Sequence, residues 1–507
     1  MDRSWVRAAL AGLVAGGAGL AASELLAGLL DGAPSLVTSI GALIIDLQPP
    51  GAKQLVVDLV GEADKLALNL LVTLVALAIA AALGAAGRRD WRIAAWGFAL
   101  VAAGAALASL RDPLVDPILA GLAVLLAAGT GALVLRRLLG PLSADPASAE
   151  MPAWERRRFL GSAVAIGGLA IAGGGLGRYL LERRPPGSGA AVPRALPSVA
   201  EPAPSLPAAA IAVDGVSPLV VPTADFYRID TKLLVPRLDA SSWSMTIDGM
   251  VERPMTLTYA DLLARPQVER YVTIACVSNE VGGDLVGNAK WSGVPLRDLL
   301  DEAGVADGAS QVVGRAFDGW TAGFPTRWLD GPGAGALLAV GMNDAPLTPA
   351  HGFPARLIIP GLYGYVSATK WLANINLTTL DAFDGYWIPL GWAKDGPILL
   401  QSRIDVPGGG SVASGQVAVA GVAWAPTRGV SAVEVQVDDG AWQAAGLGPA
   451  ISDETWVQWV FRWEAMPGAH RLRVRATDGD GNLQEERSTP PAPDGARGYH
   501  SVQVSVT

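Results

Sequence analysis

The sequence predicts three kinds of structure in chain order: a region of transmembrane helices, a mixed α+β domain and a β-sandwich. Three observations support this prediction. Long apolar segments concentrate before about residue 182. Short apolar runs alternate with helical pieces over residues 222–398, and evenly spaced strand patterns separated by Asp-Gly turns follow over 399–507. A chain of 507 residues is long enough for about three such domains.

Five apolar segments are long enough to cross a bilayer. They run over residues 8–30, 66–86, 91–110, 114–135 and 159–181. A shorter apolar run between residues 31 and 64 is compatible with a re-entrant or interfacial piece, and we assign it no span. The sequence therefore predicts a multi-pass transmembrane region over residues 1–182, with the lipid bilayer as its partner.

Basic residues flank alternate ends of these segments, and this pattern indicates their orientation. The clusters are Arg3 and Arg7, then Arg88, Arg89 and Arg92, then Arg136, Arg137, Arg156, Arg157 and Arg158. Because basic residues are retained on the cytoplasmic side, we expect a cytoplasmic N-terminus. Five crossings then place everything after residue 182 on the outer side of the cell membrane.

The last apolar segment is headed by Arg156-Arg157-Arg158-Phe159-Leu160. This stretch resembles a twin-arginine signal, which directs the export of proteins already folded around a cofactor. The alternative is that the arginines anchor the cytoplasmic end of a helix. Both alternatives give the same orientation.

The remainder of the chain divides by composition. Residues 183–221 are rich in proline, alanine, serine and glycine without hydrophobic periodicity, which is typical of a flexible linker. We place the α+β domain at residues 222–398 and an immunoglobulin-like β-sandwich at residues 399–507.

Charge and cysteine content exclude some roles and raise one question. A net charge of −9, without a long basic tract in the C-terminal part, argues against a nucleic-acid partner. Cys276 is the only cysteine, so the chain forms no internal disulfide. It ends an apolar strand-like run and precedes a glycine-bearing loop of the kind that lets backbone approach a ligand. On these features alone, Cys276 is either a ligand or an ordinary buried residue.

Four motifs occur in this part of the chain, and one of them contains Cys276. They are Phe226-Tyr227-Arg228, then Cys276-x-x-Asn279, then Asn288-Ala-Lys290-Trp291, and His351-Gly-Phe-Pro-Ala-Arg356 followed by Lys370-Trp371. Their types and order resemble the sulfite oxidase family of molybdopterin enzymes. The resemblance runs from about residue 222 to the C-terminus and leaves out the predicted transmembrane region.

The resemblance implies a cofactor, a site and a reaction. Cys276 would ligate molybdenum and, with Arg228, would act in catalysis. The molybdopterin would be bound by Phe226, Tyr227, Arg228, Cys276, Asn279, Lys290, His351, Arg356 and Lys370. A soft thiolate suits a high-valent metal, and fixed cations suit a pterin phosphate. The reaction would be a two-electron oxygen-atom transfer to or from a small substrate, and the sandwich would resemble the family's dimerisation domain.

The sequence also departs from the family pattern. Glu280 and Val281 follow Asn279 where sulfite oxidases have a pair of arginines, so a positive charge expected near an anionic substrate is absent. Arg428 is a weak match to a cation near the substrate, and the alternative is an ordinary surface arginine. Sulfite, a sulfoxide and other small oxo-acceptors therefore remain open as substrates.

The electron partner is expected to be a separate molecule. With one cysteine, the chain is expected to hold no iron-sulfur cluster of its own. The three histidines all lie in the C-terminal part, at His351, His470 and His500, so no bis-histidine haem is expected in the membrane region. A cytochrome or a quinone-linked protein would then exchange electrons with the cofactor. The alternative function is a membrane-tethered binding module with a degenerate, non-catalytic molybdopterin domain.

Overall fold

The computed structural model describes residues 4–49, 64–88, 90–139, 153–183, 195–208 and 211–507. The chain divides into two compact units. One comprises Met1–Ser188 with Thr231–Pro236, and the other Gly189–Asp230 with Arg237–Thr507. Arg3, Arg89, Pro50 and parts of the predicted linker, residues 184–194 and 209–210, lie outside the described residues.

The first unit is helical. Its helices are α1 (Ser4–Leu29), α2 (Leu36–Asp46), α3 (Asp64–Ala86), α4 (Trp91–Ser109), α5 (Pro117–Leu139) and α6 (Ala153–Arg183). Within the described part of the chain, five of these helices are long and apolar enough to cross a membrane, as the sequence predicted. The eleven-residue α2 is too short, and it occupies the run to which no span was assigned.

Helix α1 is the centre of this unit and packs against α3, α5 and α6. Glycines make this packing close: a Cβ atom at Gly12 would lie 2.2 Å from the carbonyl oxygen of Ala80 in α3. Small residues let apolar helices approach to this distance. Large apolar side chains instead face outward, including Leu100, Ile118 and Ile171, each more than 70% exposed. Such an outer surface fits lipid better than water.

One carboxyl group is buried in this apolar unit. Ser35, at the start of α2, donates to Oε1 of Glu24 in α1 at 2.6 Å. Arg178 in α6 donates to the hydroxyl of Thr38 at 3.0 Å, which adds a second polar contact nearby. A carboxyl group within an apolar span is costly, and the hydrogen bond from Ser35 helps to accommodate Glu24.

The second unit begins with an α+β domain built on two sheets. The first sheet has the order β1-β4-β5-β8-β10, with β9 paired to β8, and the second has the order β3-β2-β11-β6-β7. The strands are β1 (Val199–Glu201), β2 (Ser244–Gly249), β3 (Met255–Thr258), β4 (Gln267–Ala275), β5 (Val286–Pro295), β6 (Gln311–Ala316), β7 (Thr321–Pro325), β8 (Leu337–Met342), β9 (Ala345–Pro346), β10 (Arg356–Ile358) and β11 (Leu372–Thr378). Three short helices complete the domain: α7 (Tyr259–Ala264), α8 (Leu296–Ala303) and α9 (Gly364–Ser367).

Strand β1 lies within the segment predicted to be a flexible linker. It pairs in parallel with β4, and further along the same segment Val221 donates its backbone N–H to Asn288 in β5. The described residues Val199–Glu201 and Val221 are therefore hydrogen-bonded to the first sheet. Composition could not show this, because backbone hydrogen bonds to a sheet need no hydrophobic period.

The C-terminal part forms two sheets that enclose one core, as the predicted sandwich requires. Trp459 and Trp463 of one sheet pack in the same cluster as Val435 and Val474 of the other. The sheet orders are β12-β14-β18-β17 and β13-β20-β19-β15-β16. The strands are β12 (Gln401–Val406), β13 (Gly410–Val412), β14 (Gly415–Trp424), β15 (Val430–Val437), β16 (Gln443–Ala444), β17 (Gly446–Leu447), β18 (Val457–Ala465), β19 (Gly468–Asp478) and β20 (His500–Val506).

Candidate active site

Cys276 stands where a buried strand meets a loop. Strand β4 is buried along nearly its whole length and ends one residue earlier. The backbone N–H of Cys276 donates to the carbonyl of Leu285 at 2.9 Å, and the Leu285 N–H donates to Oδ1 of Asn279 at 2.8 Å. Asn279 thus closes the loop that carries the thiol, which is itself buried. The Cys-x-x-Asn spacing thus places both residues on one loop, and their roles as cofactor ligands stay a prediction.

An aromatic cluster surrounds Phe226. Its ring meets Trp291 and His351 edge-on, each at 5.8 Å between centroids, and stacks on Tyr227 at 5.2 Å. Burial raises the pKa of Tyr227, and the nearby Cys276 thiol acts in the same direction. Tyr227 is therefore a neutral hydroxyl close to the thiol at physiological pH. Residues far apart in sequence meet here because β5 and the 226–228 segment lie side by side.

Arg356 is a buried cation, only 5% exposed. Its guanidinium lies 5.1 Å from the ring centroid of Trp291, and Nη1 donates to the His351 carbonyl at 3.2 Å. Burial lowers its pKa to about 10, although the neighbouring Tyr227 opposes this fall. Among the described residues, Nε of Arg356 has no hydrogen-bond partner. A buried donor without a partner is costly, so this atom is suited to an anionic ligand.

His351 is held in its neutral form. Its Nε2 lies 3.0 Å from the carbonyl of Thr223, so we assign the proton to Nε2. Burial and then the positive charge of Arg356 lower the pKa of His351 to about 4. Gly352 follows with a φ of +102°, and a Cβ atom there would lie 3.0 Å from Cβ of Lys370 and 3.2 Å from Cβ of Arg356. Glycine therefore allows the two cationic segments to converge beside His351.

Lys370 and Arg228 share one carboxylate. Oδ2 of Asp230 lies 3.1 Å from Nζ of Lys370 and 3.0 Å from Nε of Arg228. Burial lowers the pKa of Lys370 to about 8, and Asp230 opposes this effect. Sequence reasoning missed Asp230. The available signal was its position two residues after Arg228, within a motif already identified.

Lys290 and Arg428, which the sequence predicted for the site, form their ion pairs outside the cluster around Phe226. Lys290 forms ion pairs with Glu269, at 3.4 Å, and with Asp344. Burial alone would lower its pKa, but these carboxylates outweigh burial and the pKa is raised. Side chains alternate along a strand, so Lys290 lies on the face of β5 opposite to Trp291, which contacts Phe226 and Arg356.

Arg428 also has a different setting. Its Nε lies 3.0 Å from Oδ2 of Asp478, and Nη2 donates to the Ile398 carbonyl at 3.2 Å. These contacts account for the position of the Arg428 side chain, and its role near a substrate stays a prediction. The geometry therefore separates the central set from Lys290 and Arg428.

The residues brought together fit a molybdopterin. The set offers a single soft thiol, two buried cations and an unsatisfied guanidinium N–H, next to aromatic rings that could cover a flat heterocycle. An ammonium has three N–H donors, and Lys370 directs two of them to Asp230 and to the Ala350 carbonyl. The third N–H would be the donor for a phosphate. This donor set supports one metal–thiolate bond together with an anionic organic cofactor.

Comparison with known proteins also indicates a molybdopterin-binding domain. The family model for the oxidoreductase molybdopterin binding domain matches residues 232–387. An uncharacterized oxidoreductase of Bacillus subtilis, YuiH, is 37% identical over 158 residues, which cover 31% of this chain and 76% of that protein. Human mitochondrial sulfite oxidase is 28% identical over 306 residues, covering 51% of this chain and 56% of that enzyme. A rice nitrate reductase is 32% identical over 179 residues, 30% of this chain but 19% of that enzyme.

A solved structure supports the fold. The sulfane dehydrogenase SoxCD from Paracoccus pantotrophus superimposes with a TM-score of 0.50 at 22% identity, covering 57% of this chain and 82% of that one. The likeness extends beyond the 156-residue family match, but at this identity it shows the fold alone. Together with the YuiH match and the family model, the site places this chain in the family of oxidoreductases with a molybdopterin-binding domain, as an enzyme of the sulfite oxidase type.

Proposed function

We propose that this enzyme catalyses a two-electron oxygen-atom transfer to or from a small substrate on the outer side of the cell membrane. One observation carries the proposal: the only cysteine lies at a strand end and interacts electrostatically with Tyr227, whose ring stacks on Phe226 in the cluster that also holds the buried Arg356 and Lys370. Bound there, molybdenum would supply the exchange of two electrons and an oxygen atom. The chain's own residues bind, orient and shield the cofactor.

The roles of these residues follow from their contacts. The thiolate of Cys276 binds the metal. Nε of Arg356 and the third N–H of Lys370 bind the phosphate. The neutral His351 and the rings of Phe226 and Tyr227 line the pterin, and Asn279 shapes the metal loop. Arg228 is 38% exposed, so its guanidinium is available to a substrate or to the cofactor.

The proposed substrate belongs to one of two chemical classes, sulfite-like anions or neutral sulfoxides. Glu280, four residues after Cys276, is exposed on the metal loop. A carboxylate there reduces the positive potential that would attract sulfite. A neutral sulfoxide does not meet this repulsion. The relative activity towards these two classes, measured with wild type and with Glu280→Gln, distinguishes them: only an anionic substrate gains from the substitution.

We further propose the cellular setting. The five apolar helices would anchor the enzyme in the bilayer with a cytoplasmic N-terminus, as the arginine distribution indicates. Electrons would pass to or from a separate cytochrome or quinone-linked protein. The C-terminal sandwich would be immunoglobulin-like and would support a homodimer. Whether Arg156–Arg158 form an export signal or an anchor does not change this orientation.

The test is metal and pterin analysis of the full chain purified from a host that makes the cofactor. We expect molybdenum and pterin near one per chain in wild type. Cys276→Ser should retain pterin but show an altered molybdenum absorption spectrum, because the sulfur ligand is replaced by oxygen. If the wild type contains neither molybdenum nor pterin, the proposal is wrong and a degenerate binding module is the better description.

A further inference from the structure

Two side chains of the sandwich reach the loop that follows the metal-binding cysteine. Arg403 in β12 donates from Nη1 to the carbonyl of Gly283 at 2.7 Å. His500, at the start of β20, places its ring against Gly282. Residues 276–285 thus have support from a domain that lies more than 110 residues further along the chain. The proposed function gives these contacts no role.

Arg403 is fixed before it contacts the loop. Its Nε lies 2.6 Å from Oδ1 of Asp405, and its Nη2 donates to the hydroxyl of Ser217 at 2.7 Å. Asp405 also accepts from the backbone N–H of Ser217 at 2.8 Å. Arg403 is 9% exposed as a residue, and its guanidinium is engaged through three nitrogens. A buried cation with this many partners has one available geometry, so it acts as a rigid support.

His500 is equally constrained. Its Nδ1 accepts the backbone N–H of Ile404 at 3.0 Å, which assigns the proton of the neutral ring to Nε2. Gly282 has a φ of +81°, and a Cβ atom there would lie 2.2 Å from Cδ2 of His500. The loop can therefore contact the ring only because residue 282 is glycine.

The support continues to the thiol by short contacts. A Cβ atom at Gly283 would lie 2.6 Å from Oδ1 of Asn279, so these residues are tightly packed. Oδ1 of Asn279 holds Leu285, and the Leu285 carbonyl holds the backbone of Cys276. Every step from Arg403 to the cysteine is a hydrogen bond or a packed contact.

We propose that Arg403 and His500 are positioning residues that hold the metal-binding loop, so that the sandwich orders the Cys276 thiol within its own chain. The role of that order in metal binding rests on the proposed function of Cys276. The order itself does not. It can be measured on cofactor-free protein, because Cys276 is the only cysteine and its alkylation reports on one site.

The experiment measures the rate at which iodoacetamide alkylates the full chain, purified in detergent without cofactor. We expect Arg403→Gln and His500→Ala to react at least about tenfold faster than wild type, since each loses a contact that keeps the loop closed. The matched control is Arg462→Gln, an exposed arginine on the same sandwich. Its rate should equal that of wild type.

Low concentrations of urea separate positioning from general destabilisation. Local opening of the loop gives a rate that changes little with urea, whereas opening by global unfolding gives a rate that rises steeply. The proposal is wrong if the variants react at the wild-type rate, or if their faster reaction follows the global unfolding equilibrium. His500→Asn retains an acceptor near Nδ1 and should restore part of the protection. If Arg403→Gln does not fold, Gly282→Ala tests the contact between the loop and His500 from the loop side and should also accelerate alkylation.

The pterin content and molybdenum spectrum of the cofactor-bound enzyme test the role of Arg403 independently. In Arg403→Gln we expect pterin content close to wild type with a broadened molybdenum spectrum, because the phosphate contacts are intact and the thiolate is less ordered. If wild-type protein does not bind molybdenum and pterin, the proposed function is wrong. The alkylation result would still be valid. Normal loading with unchanged alkylation in both variants would defeat only this inference.

Discussion

Oδ2 of Asp230 lies 3.1 Å from Nζ of Lys370, and the two side chains are 3% and 10% exposed. Lys370 lies in a buried cationic group with Arg356, and Asp230 is its nearest counter-charge. Removing one partner of a buried ion pair leaves an uncompensated charge, which costs far more than the pair itself contributes. Asp230 is therefore required to keep Lys370 charged where the phosphate is expected.

Asp230→Asn should destabilise the cofactor-free protein by about 3–5 kcal/mol, because Lys370 loses its counter-charge. Adding Lys370→Met should recover much of this loss. Urea unfolding of the two single variants and the double variant measures the coupling. Asp225→Asn, an exposed carboxylate in the same segment, is the control and should change stability by less than about 0.5 kcal/mol. Additive effects in the double variant would contradict the ion-pair interpretation.

Stability should fall between pH 6.5 and pH 4 because of His351. The pKa of its imidazole is about 4 in the folded protein, against the ordinary value of 6.5 in an unfolded chain, so over this range the unfolded chain binds a proton that the folded protein does not. The contribution is complete above pH 6.5 and is lost as the pH falls towards 4. It corresponds to roughly 3 kcal/mol. Urea unfolding of wild type and His351→Gln across this range should show a shallower slope in the variant, and parallel slopes would contradict the assignment.

Arg356→Met should separate stability from cofactor binding. Arg356 has no described carboxylate partner and a buried Nε without an acceptor, so the cofactor-free protein carries the cost of burying its charge. We expect the free energy of unfolding to stay within about 1 kcal/mol of wild type or to rise. Pterin content should fall at least tenfold. A variant that loses stability but keeps its pterin would show that Arg356 is structural only.

Lys290→Met and Lys370→Met should differ in their effect on cofactor content. Lys370 lies beside Asp230 and Arg228, whereas Lys290 pairs with Glu269 and Asp344 on the other face of β5. We therefore expect Lys370→Met to lose much more pterin per folded chain than Lys290→Met. Pterin and protein assays of the two purified variants measure this. Equal losses would instead support the sequence-based prediction that both lysines bind the cofactor.

Some features were available in the sequence because they depend on residues that are near one another along the chain. The five long apolar helices follow from runs of about twenty apolar residues, and the two-sheet C-terminal part follows from strand alternation and Asp-Gly turns. Cys276 and Asn279 are joined through a single loop, so their spacing alone brought them together. Interactions between residues that are near one another in sequence therefore produce patterns from which structure can be predicted.

Other features were decided by tertiary structure. The composition of the stretch around strand β1 predicts a linker. A strand forms there nevertheless, because pairing at a sheet edge satisfies backbone groups whatever the side chains are. Lys370 pairs with Asp230, Arg428 with Asp478 and Arg403 with Ser217, and these partners are between about 50 and 190 residues away in sequence. A charged side chain pairs with the nearest opposite charge in space, and that distance depends on strand order, strand face and domain packing. The sequence by itself determined which residue types this enzyme has for binding a metal and a phosphate, and the tertiary structure decided which of them stand together.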